Sequence, residues 1–403
     1  MSRKSVLGAV CASNGAFAAV ARRIAAGQQQ HRSFTSTAQR YATIPHFTPT
    51  SSPELDSLLG DIRTKIILPS YLPKSQRKKM YSAKWEKQLQ SDPIIIEIDG
   101  EVFKFRYQNP LTDLPNTRKS LVAAISQFET ADDFSNLKPL LEGMCYTGRK
   151  ISHSFYAKLA WTAGKKGHIY SIIDCARSAR QTGYKLDTSE KVNEVLHYVQ
   201  LKARDADWDE AETKQALRWA EMVVEMLQEE VHQPKRHKMN APLPGELPLS
   251  RDPMVLAAPL HLAAVLVAQH EAGEEVLDKV HKLARDIVTL WPEGRKLKEV
   301  QPAELYTRPW RMEYLESPGK FTTIASPLLH GLDTAIKVVE PELADQLRTR
   351  RDMLAAEIEE ARKELAVLKE ARDVKAAEVR EAGGTPYPTD FRGELVYQKF
   401  CGA

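Results

Sequence analysis

Apolar residues recur every three or four positions over residues 117–231, the spacing that places them on one face of an α-helix. Runs of 12 to 20 residues with this spacing are separated by short breaks, several of which contain glycine. Helices joined by such short turns pack as antiparallel neighbours. The pattern therefore predicts a repeat-like array of α-helical hairpins over residues 117–231.

The pattern changes upstream, where β-branched and aromatic residues form two short runs at 94–98 and 102–107. Asp99 and Gly100 lie between the runs, and this dipeptide supplies the positive φ angles of a type I′ turn. A two-stranded β-hairpin is expected there, and it must pack on another element because two strands alone are only marginally stable. A short basic helix precedes the strands, so residues 74–116 are predicted as a basic helix plus a β-hairpin.

Prolines mark the segments that flank these elements. Residues 43–73 are rich in Pro, Ser and Thr and are predicted as an extended arm. Residues 232–253 contain five prolines and are predicted as a linker. Residues 254–340 are predicted as a helical segment with a Pro-rich extended stretch, because five more prolines fall between 292 and 327.

The longest helix is predicted at 341–382 and is followed by a tail at 383–403. At ~1.5 Å per residue such a helix spans about 60 Å. Apolar residues occupy most of its heptad seam positions: Ala344, Leu347, Leu354, Ile358, Ala361, Leu365, Leu368, Val379 and Ala382. Charged residues interrupt that stripe, so we expect an imperfect, coiled-coil-like helix that packs against a helix of this chain or of a neighbour. The predicted fold class is mainly α.

Charge separates the first 42 residues from the rest of the chain. The chain carries 57 Lys and Arg against 53 Asp and Glu, yet its first acidic residue is Glu54. Six basic residues precede it: Arg3, Lys4, Arg22, Arg23, Arg32 and Arg40. A Ser- and Arg-bearing segment without acidic residues is typical of a mitochondrial transit peptide. We therefore predict a transit peptide at 1–42 and a location in the mitochondrial matrix.

The remaining charges are distributed unevenly. Residues 149–185 hold eight basic residues against one acidic residue, and residues 61–120 hold twelve against seven, whereas residues 187–231 hold five against twelve. Opposed patches of this kind favour one surface for a polyanion and another for protein or solvent. Aromatic residues interleave with the basic ones and could stack on unpaired bases. The predicted RNA-binding residues are Arg77, Lys78, Lys79, Lys84, Arg149, Lys150, Lys165 and Lys166.

Catalytic and metal-binding motifs are not evident in the sequence. The stretch 143–150 has the glycine spacing of a phosphate-binding loop, but Arg149 stands where the lysine belongs, and a helix–turn–helix break explains it better. No His-Glu-x-x-His pair, Cys-x-x-Cys pair or nucleophile elbow occurs. No stretch reaches the ~20 uncharged apolar residues of a membrane span. We predict no enzyme, no cofactor, no small-molecule substrate and no membrane span.

Two family resemblances follow from these residues. Residues 155–183 are spaced like one pentatricopeptide-type helical hairpin. The basic stretch 72–79, the β-hairpin and the helical hairpins of residues 134–203 resemble the L-fifty family of the large (54S) subunit of fungal mitochondrial ribosomes. That resemblance implies a structural, non-enzymatic protein that contacts mitochondrial rRNA and other mitoribosomal proteins.

Two alternatives remain open at this level. A free mitochondrial RNA-binding factor, such as a translation activator, could use the same helical array and the same basic residues. A matrix enzyme or an assembly factor would need a convergent polar pocket, which a sequence does not reveal. A ribosomal subunit and a free factor differ in sedimentation, since a free factor peaks near its own mass.

Overall fold

The computed structural model describes residues 44–98, 100–234, 242–270, 273–309, 311–381 and 392–402. These residues are mainly α-helical, which confirms the predicted class, and the transit peptide predicted at 1–42 lies outside them. The helices up to residue 226 are α1 (Pro53–Ile62), α2 (Lys74–Met80), α3 (Glu86–Ser91), α4 (Thr117–Gln127), α5 (Ala131–Ser135), α6 (Leu137–Tyr146), α7 (His153–Lys165), α8 (Ile169–Arg177), α9 (Ala179–Thr182), α10 (Ser189–Asp205) and α11 (Glu210–Met226). The later helices are α12 (Pro253–His270), α13 (Glu274–Leu290), α14 (Glu304–Thr307), α15 (Pro318–Ala335), α16 (Pro341–Glu381) and α17 (Arg392–Cys401).

The predicted β-hairpin is confirmed as β1 (Ile94–Ile98) paired antiparallel with β2 (Glu101–Phe105). Its turn contains Gly100 at φ 82°, a conformation that glycine adopts without steric cost, while Asp99 lies outside the described residues. The hairpin packs on a small hydrophobic cluster made of Ile44, Leu68, Leu72, Met80 and Phe105. This cluster joins the hairpin to the basic helix α2.

The extended arm predicted at 43–73 is wrong over most of its length, because the chain is helical from α1 to Tyr71. Pro53 occupies the first turn of α1, where its missing N–H costs nothing, and the Ser52 hydroxyl accepts the Leu55 N–H as an N-cap. Leu55, Leu59 and Ile62 are then buried on one face. The prolines therefore mark a helix start rather than an extended chain.

Residues 44–52 do remain extended, and two polar side chains hold them against the body. The buried Asp133 carboxylate accepts the backbone N–H and the hydroxyl of Ser51, both at 2.8 Å, and also the N–H groups of Glu129 and Thr130. Burial opposes ionisation of Asp133, but these hydrogen bonds outweigh it and hold the pKa well below its usual range. Asn136 adds a hydrogen bond to the Thr48 N–H at 2.8 Å.

Helix α12 lies at the centre of the packing. It contacts α10, α11, α13 and α15, and it carries no charged residue, as expected of a helix that is covered all round. Its length and composition would suffice to cross a membrane, and 78% of its residues are buried inside the protein. Such burial is typical of a core helix.

The boundary predicted at the linker 232–253 does not divide two hydrophobic cores. One cluster of buried residues extends from Leu55 in α1 to Phe400 in α17. The described parts of the linker pack on this body, since the Leu186 N–H donates to the buried His232 imidazole at 3.1 Å. Residues 235–241 of the linker lie outside the described residues.

The predicted Pro-rich extended stretch is wrong from residue 318 onward, and the predicted C-terminal tail contains a helix. Pro318 begins α15 at a position that favours proline, and Pro327 lies inside the same helix. Pro327 has no N–H to donate to the preceding turn of α15, and packing of α15 against α12, α16 and α17 offsets the loss of that hydrogen bond. Within the predicted tail, α17 is helical and buries Val396 and Phe400. Counting prolines alone therefore overestimated the irregular chain.

The long helix predicted at 341–382 is confirmed as α16, of 41 residues. It packs within the chain, against α13 and α15, and its seam residues from Leu347 to Leu365 are buried. Beyond residue 365 the stripe residue Leu368 is 48% exposed, and Val374, which lies beside the stripe, is 60% exposed. Only the first two thirds of the heptad pattern therefore have a partner within the described residues.

Replacing Gly164 with alanine is expected to lower the free energy of unfolding by about 2 kcal/mol. A Cβ atom at this position of α7 would lie 2.1 Å from the ring of the buried Tyr198 in α10, so the helices could not keep their present spacing. Gly60→Ala in α1 is the matched control, because no atom lies within 4 Å of a Cβ built there. This variant should raise the free energy of unfolding by up to about 1 kcal/mol, since alanine favours a helix more than glycine does. Denaturant unfolding of both variants measures these changes. An unchanged free energy of unfolding in Gly164→Ala would refute the close approach of α7 to α10.

Candidate nucleic-acid interface

The basic helix α2 presents its charges outward because its other face is anchored. Met80 is fully buried against the β-hairpin cluster, and the Gln108 N–H donates to the Met80 carbonyl at 3.1 Å. Lys78 and Lys79 are exposed and Arg77 is half-buried. All three fall in the last turn of α2, where the helix dipole also favours positive charge. The local sequence thus builds a fixed basic turn.

Two lysines flank a half-exposed tryptophan just beyond this turn. The Lys79 Nζ atom lies 4.9 Å from the ring centroid of Trp85, and the Lys84 Nζ atom lies 5.7 Å from it. Contacts of this type hold an ammonium group over an aromatic face while its N–H groups remain available to water or phosphate. The arrangement restrains both lysine side chains at the surface.

The structure brings the second basic segment, after α6, next to α2. Burial raises the pKa of the Tyr81 hydroxyl, and the nearby charges of Arg149 and Arg77 oppose that rise. The Arg149 guanidinium also donates to the Thr117 hydroxyl at the start of α4. Arg149 and Lys150 are both exposed. Residues 72 positions apart in the chain therefore both place positive charge near the Tyr81 hydroxyl.

A stacked pair of tyrosines supports the same junction. The rings of Tyr71 and Tyr146 lie 4.2 Å apart at an interplanar angle of 28°. Tyr146 ends α6, and Tyr71 ends the short helical turn that leads to α2. The sequence shows aromatic residues among the basic ones but carries no signal that these two pair. We call the set Arg77, Lys78, Lys79, Lys84, Arg149 and Lys150 the basic surface.

The other two predicted residues, Lys165 and Lys166, lie at the opposite end of α4. The Lys166 ammonium donates to the carbonyl oxygens of Ser126 and Phe128, at 3.0 and 2.5 Å, and to the Glu129 carboxylate at 2.6 Å. An ammonium group has three protons, so these contacts use all of them. The eleven residues of α4 span about 16 Å. Lys166 therefore closes the C-terminus of α4 and is not part of the basic surface.

Other chemistry suggested by the sequence has no support in the described residues. Among them, no group of three or more His, Cys, Asp or Glu side chains is placed to hold a metal ion. The stretch 143–150 begins inside the last turn of α6, which ends at Tyr146, rather than after a strand, and α7 begins three residues beyond it. This confirms its interpretation as a break between two helices.

Comparison with known proteins now identifies the family. The family model described as "Mitochondrial ribosomal protein mS27" matches residues 32–382. A curated relative, small ribosomal subunit protein mS27 of Neurospora crassa, is 38% identical over 346 residues, which cover 82% of this chain and 87% of the relative. The family match continues beyond residue 232 through α12 to α16.

These matches overturn the resemblance to the large-subunit L-fifty family, because the relative is named for the small subunit. That resemblance depended on the layout of a basic stretch, a β-hairpin and helical hairpins, and no invariant motif supported it. The chain belongs to the mitochondrial ribosomal protein mS27 family, whose members are structural, non-enzymatic proteins of the mitochondrial matrix.

Proposed function

We propose that this protein is a structural component of the small subunit of the mitochondrial ribosome and that its basic surface contacts rRNA. The small-subunit assignment follows the name of the Neurospora crassa relative. In this role the protein performs no chemical step. It neutralises phosphate groups and holds its helical body in a fixed position on the particle.

The observation that carries the proposal is the convergence of two basic segments beside Tyr81. Arg77 comes from α2 and Arg149 from the segment after α6, and both act on the Tyr81 hydroxyl. Within the described residues, none of the six members of the basic surface forms an ion pair with a carboxylate. Cations that gather without acidic partners repel one another, so a polyanion that neutralises them is favoured.

Phosphate contact explains why such a surface is useful to a ribosomal protein. Each Lys or Arg placed on a phosphate releases condensed counterions, and this release supplies affinity that does not depend on base sequence. Trp85 and Tyr81 lie among the charges and could stack on unpaired bases. The surface therefore suits an rRNA backbone with a few exposed bases.

Ultraviolet cross-linking of purified mitochondrial small subunits tests the proposal. We expect peptides that carry nucleotide adducts to map to residues 74–85 and 146–150, because aromatic side chains there lie beside the proposed phosphate contacts. Peptides from α13, which contributes no residue to the basic surface, serve as the internal control. Adducts confined to other parts of the chain would refute the assignment of this surface.

A further inference from the structure

An apolar groove lies between α4 and α7, away from the basic surface. Its floor is formed by Val122, Ile125, Phe155 and Leu159, and its volume is about 320 Å³. Trp161, which sequence pattern favours as a core residue, is only half-buried and forms part of the wall. The volume lies near the lower limit of ligand pockets, which are roughly 300–1,000 Å³, so the groove admits one or two side chains. We call it the α4–α7 groove.

Polar groups along the groove are already satisfied by their own helices. The Ser126 hydroxyl donates to the Ala123 carbonyl at 2.8 Å, and the Thr162 hydroxyl donates to the Lys158 carbonyl at 2.9 Å. The protons of the Lys166 ammonium are used at the end of α4, as described above. Sequence-specific recognition of a nucleobase requires hydrogen bonds to its edges in addition to stacking. The groove offers few groups for that purpose, so its floor favours an apolar occupant.

The rim of the groove is positively charged. Lys158 and Lys165 are exposed, and the Lys165 Nζ atom lies 5.4 Å from the ring centroid of Trp161. Within the described part of the chain neither lysine pairs with a carboxylate, and the nearby Glu129 is bonded to Lys166. Complementary charge directs which partner docks on such a rim. An apolar floor inside a basic rim fits an apolar side chain flanked by acidic ones.

We propose that the α4–α7 groove docks a segment of a neighbouring ribosomal protein that inserts a large apolar side chain and places Asp or Glu within one helical turn of it. An RNA strand could neutralise the two lysines but would leave the apolar floor uncovered by an apolar group. This contact goes beyond the rRNA contact of the basic surface and uses different residues. It gives the protein one surface for RNA and another for protein.

Site-specific photo-cross-linking identifies the occupant. p-Benzoylphenylalanine at Ser126, an exposed position at the groove edge, is introduced into the full chain, and assembled small subunits are irradiated. After ribonuclease and trypsin digestion, we expect an adduct to a peptide of another ribosomal protein with Leu, Ile, Phe or Met within four residues of Asp or Glu. An RNA adduct, a peptide without acidic residues, or no adduct in assembled particles would each overturn the proposal.

A charge-reversal pair tests the rim. Lys158→Glu with Lys165→Glu, added to the chain with the cross-linker at Ser126, should lower the adduct yield about tenfold, because like charges would then face each other. Lys363→Glu with Lys375→Glu on the exposed side of α16 makes the same change in net charge and should leave the yield unchanged. An equal loss in both pairs, or a loss in neither, would contradict the docking of an acidic segment.

Discussion

Replacing Arg77, Lys78 and Lys79 together with glutamate is expected to weaken binding to small-subunit rRNA on the order of a hundredfold near physiological salt. The variant would lose the three proposed phosphate contacts and their counterion release, and the new carboxylates would repel the RNA backbone. The slope of log affinity against log salt concentration should become shallower by about 2 to 3. Fluorescence anisotropy of the mature protein with deproteinised rRNA, over a series of KCl concentrations, measures both quantities.

The control for this variant changes the same charge elsewhere. The control variant replaces three exposed residues of α16 and should alter the affinity for rRNA only slightly: Lys363→Glu, Arg372→Glu and Lys375→Glu. Both variants should keep the thermal unfolding midpoint of the parent, because the six residues replaced are at the surface or half-buried. Equal weakening by both sets would mean that net charge, and not the basic surface, determines RNA binding.

Arg392→Ala is expected to lower the free energy of unfolding by about 3 kcal/mol. The Arg392 Nη1 atom lies 2.6 Å from the Glu194 carboxylate, which is 2% exposed, and 3.0 Å from the Tyr198 hydroxyl. Removing the guanidinium leaves a buried carboxylate whose remaining cation, Lys320, is 3.8 Å away. Removing one partner of a buried ion pair lowers the free energy of unfolding far more than replacing both partners with apolar residues.

The double variant Glu194→Leu with Arg392→Met is the matched comparison, because it leaves neither charge behind. Most of the stability lost in Arg392→Ala should return in it. Hydrogen exchange adds a local measurement: amides of residues 392–402 should exchange faster in Arg392→Ala as α17 loses its attachment. A loss below about 1 kcal/mol, with protection of α17 unchanged, would show that the pair does not anchor this helix.

Helices and strands whose formation depends on the local spacing of apolar residues or on a turn dipeptide could be predicted from the sequence. The spacing of apolar residues predicted α10, α11 and α16, and the Asp99-Gly100 dipeptide between β-rich runs predicted the hairpin. Prolines were misleading where they begin helices. Pro53 and Pro318 lie in the first turn of a helix, where proline is favoured, so a count of prolines predicts irregular chain where these helices begin.

The candidate site was only half predictable for a physical reason. A run such as 77–79 is visible as a cluster in the sequence, whereas its meeting with Arg149 depends on how α2, α4 and α6 pack together. The role of Lys166 depends on the same packing, because it donates to the carbonyl groups of Ser126 in α4 and of Phe128 directly after it. Charge counts therefore located the basic segments but did not separate lysines of the exposed basic surface from a lysine that caps a helix.

A cryo-EM map of the assembled mitochondrial small subunit tests the central claim most directly. We expect the protein within that subunit, with rRNA phosphate oxygens within about 4 Å of the side chains of Arg77, Lys78 and Arg149. A map that places the protein there with the basic surface facing solvent or another protein would contradict the proposed rRNA contact. A small subunit that lacks the protein altogether would contradict the small-subunit assignment.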